Sequence, residues 1–151
     1  MRYQARGVSL LEMLLVIALL AAISVMAAAA LTGGFAGMQL RSEAKQITAQ
    51  LRYTRTQAIA TGKPQRFTID PQQRVWTAPG NRRGEIPEKL GVRFIGAREV
   101  QPRRGEGAIV FFPDGASTGG RVQLSAKQAA MNIDVTWLTG EVRLRRGEVE
   151  R

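Results

Sequence analysis

The sequence predicts an α+β protein in which a long N-terminal α-helix packs on a C-terminal antiparallel β-sheet domain. Three observations predict this fold. Residues 13–31 form an apolar run without charge, and an apolar stripe at helical spacing follows over residues 40–58. The remainder consists of short runs of alternating apolar and polar residues, separated by turns rich in Gly, Pro and Asp, as in antiparallel strands. About 110 residues follow the apolar run, enough for one domain.

The first element is an apolar helix long enough to cross a membrane. Nineteen residues, Met13 to Leu31, carry no charge, and Ser24 is the polar member of the run. A helix of this length reaches about 28 Å, close to the thickness of a bilayer's hydrocarbon core. Arg2 and Arg6 precede it, and the positive-inside rule then predicts a cytoplasmic N-terminus. We therefore expect a single-pass membrane protein whose C-terminal domain lies on the opposite side, which in a Gram-negative cell means an inner-membrane anchor and a periplasmic domain.

Glu12 stands alone at the start of this apolar run. A carboxylate at the centre of a membrane helix is unfavourable by about 2.5–3.5 kcal/mol, and by less near its end. If the chain were cut after Gly7, Val8 would carry a new positive α-amine, and the amine of a neighbouring subunit could neutralise Glu12. The alternative is that Glu12 lies in the headgroup layer of an ordinary signal anchor.

A second helical segment follows the span. Gly33, Gly34 and Gly37 predict a weak, bendable stretch, because each glycine disfavours helix by about 1 kcal/mol relative to Ala. The helical pattern then resumes and stops at Gly62 and Pro64, so we expect one helix over roughly residues 10–60. Its buried stripe consists of Leu40, Ala44, Ile47, Leu51 and Ala58.

The residues after the helix predict strands. We expect a hairpin around Asp70-Pro71, an exposed loop over residues 79–91, and one sheet that packs on the helix stripe and is solvated on its outer face. The predicted strands are Gln65–Ile69, Arg74–Ala78, Val92–Ile95, Ala108–Phe112, Arg121–Ser125, Asn132–Trp137 and Glu141–Arg145. We expect Trp76 and Trp137, which lie in these strands, to pack in the core.

The composition argues against an enzyme. The chain contains no Cys and no His, which removes disulfides, the commonest general base and the commonest transition-metal ligand. Asp114, in Pro-Asp-Gly, is expected to bond its own turn rather than a ligand. Ser117, Gly119 and Gly120 lack the Gly-Lys-Ser/Thr of a phosphate-binding loop. We therefore predict no catalytic residues, no metal site and no cofactor.

The N-terminal residues resemble a known family. Gly7-Val8-Ser9-Leu10-Leu11-Glu12 before a long apolar helix is similar to the signature of type IV pilins and type II secretion pseudopilins, although that family usually has Phe and Thr where Val8 and Ser9 stand. The resemblance implies that a prepilin peptidase cuts after Gly7, that Val8 is then N-methylated, and that Glu12 guides assembly into a filament. It implies a leader over residues 1–7, a transmembrane and assembly helix over 8–37, and a periplasmic domain over 38–151 (helix 38–61, β-sheet 65–146).

A second motif indicates one group within this family. Phe111-Phe112-Pro113-Asp114-Gly115 with Ser117-Thr118-Gly119-Gly120-Arg121, followed by two strands joined at Thr139-Gly140, resembles the GspH/FimT group, and most of all its H-type minor pseudopilins. The resemblance implies a pilin-like fold and a structural subunit at the tip of the type II secretion pseudopilus. Its expected partners are other minor and major pseudopilins, the prepilin peptidase and inner-membrane lipid.

The alternative function is DNA binding by a FimT-like minor pilin that serves natural transformation. The net charge of +10 and three C-terminal arginines, Arg143, Arg145 and Arg146, motivate it, since such residues neutralise phosphates. Glutamates are interspersed among the arginines, however, and we expect no exposed aromatic residues between them to stack on bases. The sequence therefore favours the secretion subunit and does not favour nucleic acid as a partner.

Overall fold

In the computed structural model, residues 9–96 and 105–148 are described, except for the side chains of residues 28–34. The chain divides into two compact units, Met1–Phe35 and Ala36–Arg151. The first contains the start of helix α1, Leu10–Thr61, and the second contains the end of α1 and all the described strands.

Helix α1 begins and ends where its capping residues predict. The Ser9 hydroxyl accepts a hydrogen bond from the backbone N–H of Leu11 at 3.3 Å, so Ser9 is the N-cap. Gly62 follows the last helical residue with a φ of 64°, the left-handed conformation that glycine adopts at low cost. The predicted helix is therefore confirmed, and it is continuous through the three glycines of residues 33–37.

Within residues 9–96 and 105–148, eight strands form two antiparallel sheets. Four of them make a sheet in the order β3-β2-β1-β5, and the other four make a sheet in the order β4-β6-β7-β8. The strands are β1 Gln65–Asp70, β2 Val75–Ala78, β3 Arg82–Glu85, β4 Gly91–Ile95, β5 Gly107–Phe111, β6 Gly120–Ala126, β7 Ala129–Val135 and β8 Val142–Gly147. The expectation of one sheet was wrong because alternation marks strands but does not specify their partners: β4 pairs with β6, whereas β5 pairs with β1.

The predicted hairpin is confirmed as β1–β2. An Asp70 carboxylate oxygen accepts hydrogen bonds from the backbone N–H groups of Gln72 and Gln73, at 2.8 and 2.9 Å. The predicted loop over residues 79–91 was partly wrong, because β3 lies inside it and pairs with β2. This strand, Arg-Arg-Gly-Glu, has no apolar alternation because it forms an edge with little buried surface.

The core of the second unit is one apolar cluster between α1 and the two sheets. All five residues of the predicted helix stripe are buried. The helix also buries Thr54, whose hydroxyl donates to the Gln50 carbonyl oxygen one turn earlier and is thereby satisfied without a sheet partner. The largest fully buried side chains from the sheets are Phe67, Ile69, Ile109, Phe111, Val122, Leu124 and Ile133.

Candidate functional site

The N-terminal candidate is Glu12, in the first turn of α1. Its side chain is exposed, and it lies within an apolar window, Leu10–Ala27, in which no residue is buried inside the protein. Length and composition allow this one helix to cross a membrane. The predicted cleavage and methylation residues, Gly7 and Val8, lie outside the described residues.

The structure places Glu12 at a position in the helix start that the sequence analysis did not consider. Ser9 is the N-cap and Glu12 is the third helical residue, the spacing of a capping box. An acid there also interacts favourably with the positive end of the helix dipole. The Ser-x-x-Glu pattern was visible in the sequence. A test of Glu12 in assembly must therefore separate its charge from its effect on the helix start.

The three C-terminal arginines do not form a single cluster. Arg143 and Arg145 lie on one face of β8 by strand alternation, and Arg146 lies on the other, where it lines a cavity with Arg41 and Met131. Arg143 contacts the Glu141 carboxylate at 2.7 Å. This bond, with the positive charges of Arg143, Arg145 and Arg55, lowers the pKa of Glu141. Arg143 is thus already paired within the chain.

Two helix arginines join α1 to β8 and to the turn after β5. The Arg52 guanidinium donates to the Val142 carbonyl oxygen at 3.1 Å, and Arg55 Nε donates to the Gly115 carbonyl oxygen at 3.0 Å. Both also line a polar cavity with Thr56, Thr139, Gly140 and Glu141. The sequence analysis did not identify these bonds.

The Pro-Asp-Gly turn is structural, as predicted. An Asp114 carboxylate oxygen accepts from the backbone N–H of Ala116 at 3.0 Å. Ser117 donates its hydroxyl to the Thr136 carbonyl oxygen and accepts from the N–H of Gly119, both at 3.0 Å. These contacts join the turn after β5 to the end of β7, and they leave Asp114 and Ser117 with structural roles.

The two tryptophans differ. Trp76 is buried and stacks on Phe67, with ring centroids 6.2 Å apart, so its predicted core position is confirmed. The same prediction was wrong for Trp137, which follows β7 and is 67% exposed, as Leu138 is at 65%. The signal for this was present: two adjacent apolar residues before Thr139-Gly140 cannot both face the core of an alternating strand.

Glu43 is a half-buried acid on α1. One carboxylate oxygen is buried, and no protein group within the described residues bonds to it. Burial raises the pKa of Glu43, because the charged form loses water without gaining a partner. Among the described residues, no three acidic side chains come together as a metal-binding group.

Comparison with known proteins identifies the family. The profile of the family described as Type II transport protein GspH matches residues 43–140. The chain belongs to the GspH family. It is 68% identical to the type II secretion system protein H of Xanthomonas campestris pv. campestris over 142 residues, covering 94% of this chain and 84% of that protein.

Solved structures confirm the pilin-like fold of this GspH-family chain. The minor pseudopilin EpsH of Vibrio cholerae gives a TM-score of 0.58 at 15% identity, covering 72% of this chain and 97% of EpsH. The type IV minor pilin FimU of Pseudomonas aeruginosa gives a TM-score of 0.54 at 13% identity, covering 70% of this chain and 92% of FimU. Because both scores are similar, the fold alone does not separate secretion from pilus subunits; the sequence relative does.

The family match leaves both ends of the chain uncovered. It contains Arg52, Arg55, Asp114 and Trp137, but it excludes Glu12 and the arginines of β8. The profile match therefore lies in the second unit, whereas the Xanthomonas relative covers 94% of the chain, and the roles of the N-terminal residues need their own experiments.

Proposed function

We propose that the chain is a minor pseudopilin of the type II protein secretion system, a structural subunit of the pseudopilus tip rather than an enzyme. The observation that carries the proposal is the 68% identity to a type II secretion system protein H over 94% of the chain. The fold supports it, because a helix that buries one stripe against two sheets provides lateral surfaces for neighbouring subunits.

The N-terminal segment supplies the assembly step. Arg2 and Arg6 hold residues 1–7 in the cytoplasm, and the prepilin peptidase cuts after Gly7. The α-amine of Val8 is then methylated and keeps its positive charge. In a low-dielectric bundle of helices, such an amine on one subunit pairs with Glu12 on the next. The exposure of Glu12 supports this role, because its side chain is accessible to a neighbouring subunit.

The apolar part of α1 stores the subunit before assembly. An exposed window of the length of Leu10–Ala27 is satisfied in lipid, where its side chains meet hydrocarbon and its backbone bonds are internal. In this account the inner membrane holds the helix, and the second unit lies in the periplasm with the other pseudopilins. Assembly moves the helix from lipid to the apolar helices of neighbouring subunits.

The test of this function separates the charge of Glu12 from its capping role. Glu12→Gln keeps a residue that completes a capping box but removes the charge, whereas Glu12→Asp keeps the charge. We expect Glu12→Gln to be cleaved normally but to lose more than about tenfold of its co-purification with other pseudopilins, since one charge of a buried pair is left unpaired. Glu12→Asp should retain most of its co-purification with other pseudopilins.

Two readouts accompany the variants: leader removal by mass, and secretion of type II substrates in a strain that lacks the native copy. Equal recruitment and secretion by wild type and Glu12→Gln would contradict the charge-pair mechanism. Normal secretion in the strain without any copy would contradict the secretion function itself.

A further inference from the structure

Four large apolar side chains are exposed where three segments of the second unit meet. Trp137 and Leu138 are 67% and 65% exposed, and Ile59 and Phe112 are 49% and 38% exposed. Hydrogen bonds and close approaches join the segments. The N–H of Ser117 donates to the Trp137 carbonyl oxygen at 2.8 Å, and Ile59 lies within 3.5 Å of the position a Cβ on Gly115 would take.

We call this surface the hairpin corner. It comprises Arg52, Arg55 and Ile59 of α1, the turn 112–117, and the turn 136–141. Exposed apolar residues scattered singly are ordinary, but here four of them are carried by segments that are bonded to or packed on one another, as at interaction sites.

The backbone of the hairpin corner is held in place. In the turn 136–141, the N–H of Gly140 donates to the Thr136 carbonyl oxygen at 2.8 Å, and the N–H of Thr136 donates to the Glu141 carbonyl oxygen at 3.0 Å. The Ser117 hydroxyl bonds the same Thr136 oxygen. Trp137 and Leu138 are therefore presented by a turn that is already ordered, which lowers the entropy lost on binding. Trp is also one of the residue types most enriched among hot spots, the few interface residues that contribute most of the binding free energy.

A cationic pocket lies beside the turn that carries Trp137 and Leu138. Arg52 and Arg55 line it, and each uses one bond to a backbone carbonyl oxygen, so each keeps further N–H donors. Glu141 is the carboxylate in its lining, and Arg143 already pairs with it. The pocket is therefore positive and suited to a carboxylate, which a guanidinium binds through two parallel N–H donors.

The positive charge of the hairpin corner indicates which kind of partner can bind there. The whole chain carries a net charge of +10, so a second copy would bring positive charge against Arg52 and Arg55. A surface with a carboxylate beside an apolar side chain complements both parts of the corner. We propose that the hairpin corner docks a different pseudopilin, which packs an apolar side chain on Trp137 and Leu138 and places a carboxylate between Arg52 and Arg55. This inference rests on the proposed function, because it assumes a filament of several subunits.

The first experiment uses the absence of cysteine from the chain. Full-length Leu138→Cys, labelled with a thiol-reactive photocross-linker in membranes of secreting cells, is compared with Lys89→Cys at an exposed site outside the corner. We expect position 138 to give an adduct with another pseudopilin, identified by peptide mass spectrometry and mapped to an acidic, apolar surface. The cross-linker at position 89 should give at least about tenfold less of this adduct.

The second experiment tests the energetic contribution of Trp137. With the cross-linker at 138, Trp137→Ala should lower the adduct yield by about tenfold or more, whereas Trp137→Phe keeps most of it, because an aromatic ring remains. Raising salt should lower the yield as well, since the arginine contacts are screened. The melting temperature of Trp137→Ala should match wild type, because the side chain is exposed, and this separates a docking defect from misfolding.

Several outcomes would overturn the inference. They are an adduct only with a second copy, with lipid or with nucleic acid, equal adducts at positions 138 and 89, or an unchanged yield in Trp137→Ala. If such a result appears while Glu12→Gln still blocks recruitment, the docking proposal for the hairpin corner is wrong and the proposed secretion function is unaffected. If neither Trp137→Ala nor Glu12→Gln changes recruitment, the corner and the charge-pair mechanism are both wrong, and normal secretion in the strain without any copy would show that the secretion function is wrong as well.

Discussion

Arg55 Nε donates to the carbonyl oxygen of Gly115 at 3.0 Å, a hydrogen bond that joins helix α1 to a turn sixty positions later in the chain. The other side of that carbonyl group is covered by Gly140, where a Cβ would collide with the oxygen. Three segments therefore converge on one backbone atom. This arrangement fixes the hairpin corner and gives the first prediction.

Gly140→Ala should destabilise the second unit. Gly140 has a φ of 61°, which an L side chain adopts at a cost of about 1–2 kcal/mol, and the collision with Gly115 adds about 1–3 kcal/mol. Urea unfolding of the full chain in detergent measures the change in the free energy of unfolding. The matched control is Gly62→Ala, which has a φ of 64° but nothing within 4 Å of the added Cβ. Equal losses in the two variants would contradict the close approach.

The two tryptophans should give separable fluorescence. Trp137→Phe leaves buried Trp76, whose emission should lie at shorter wavelength and resist quenching by acrylamide. Trp76→Phe leaves exposed Trp137, whose emission should be red-shifted and readily quenched. Similar quenching of both variants in the folded protein would mean that Trp137 is not on the surface, and the hairpin corner would then lose its central residue.

Glu43→Gln should stabilise the protein at neutral pH. Burial raises the pKa of Glu43 in the folded state, so its contribution to stability is fully present below the unfolded pKa and is lost as pH rises through the folded value. At pH 7 the ionised carboxylate is thus unfavourable, and the neutral amide avoids this loss. We expect a higher melting temperature for the variant at pH 7, with the difference shrinking toward pH 4. Exposed Glu88→Gln is the control and should show no such trend.

The alternative of DNA binding makes a distinct prediction. If the chain is a secretion subunit, replacing Arg143, Arg145 and Arg146 with Ala should weaken binding to duplex DNA no more than replacing Lys63, Arg66 and Lys89, because both changes remove three exposed charges. Gel shifts at two salt concentrations measure this. Micromolar binding that falls steeply with salt and is lost only in the β8 variant would favour the FimT-like function instead.

Sequence patterns predicted the parts of the fold that repeat along one element. The stripe from Leu40 to Ala58 was found because helical period and burial coincide, and the Asp70 and Asp114 turns were found because their side chains bond nearby backbone. Strand β3 was missed because an edge strand needs no apolar alternation.

The candidate sites divide in the same way. The roles of Gly7, Val8 and Glu12 come from a resemblance to the pilin signature and stay predictions, because the family match does not cover these residues. The hairpin corner was not predictable, because its bonds run from arginine side chains to backbone carbonyl groups distant in sequence, which no residue pattern marks. The exposure of Trp137 depends on the same tertiary contacts.

The assembly mechanism requires that a free α-amine is created at Val8, since Glu12 has no role in pairing without it. The direct measurement is the intact mass and N-terminal peptide of the protein purified from the bacterium that encodes it. The account predicts a chain that starts at Val8, carries a methyl group on its amine and lacks residues 1–7. A chain that still begins with Met1 and retains Gly7 would contradict it.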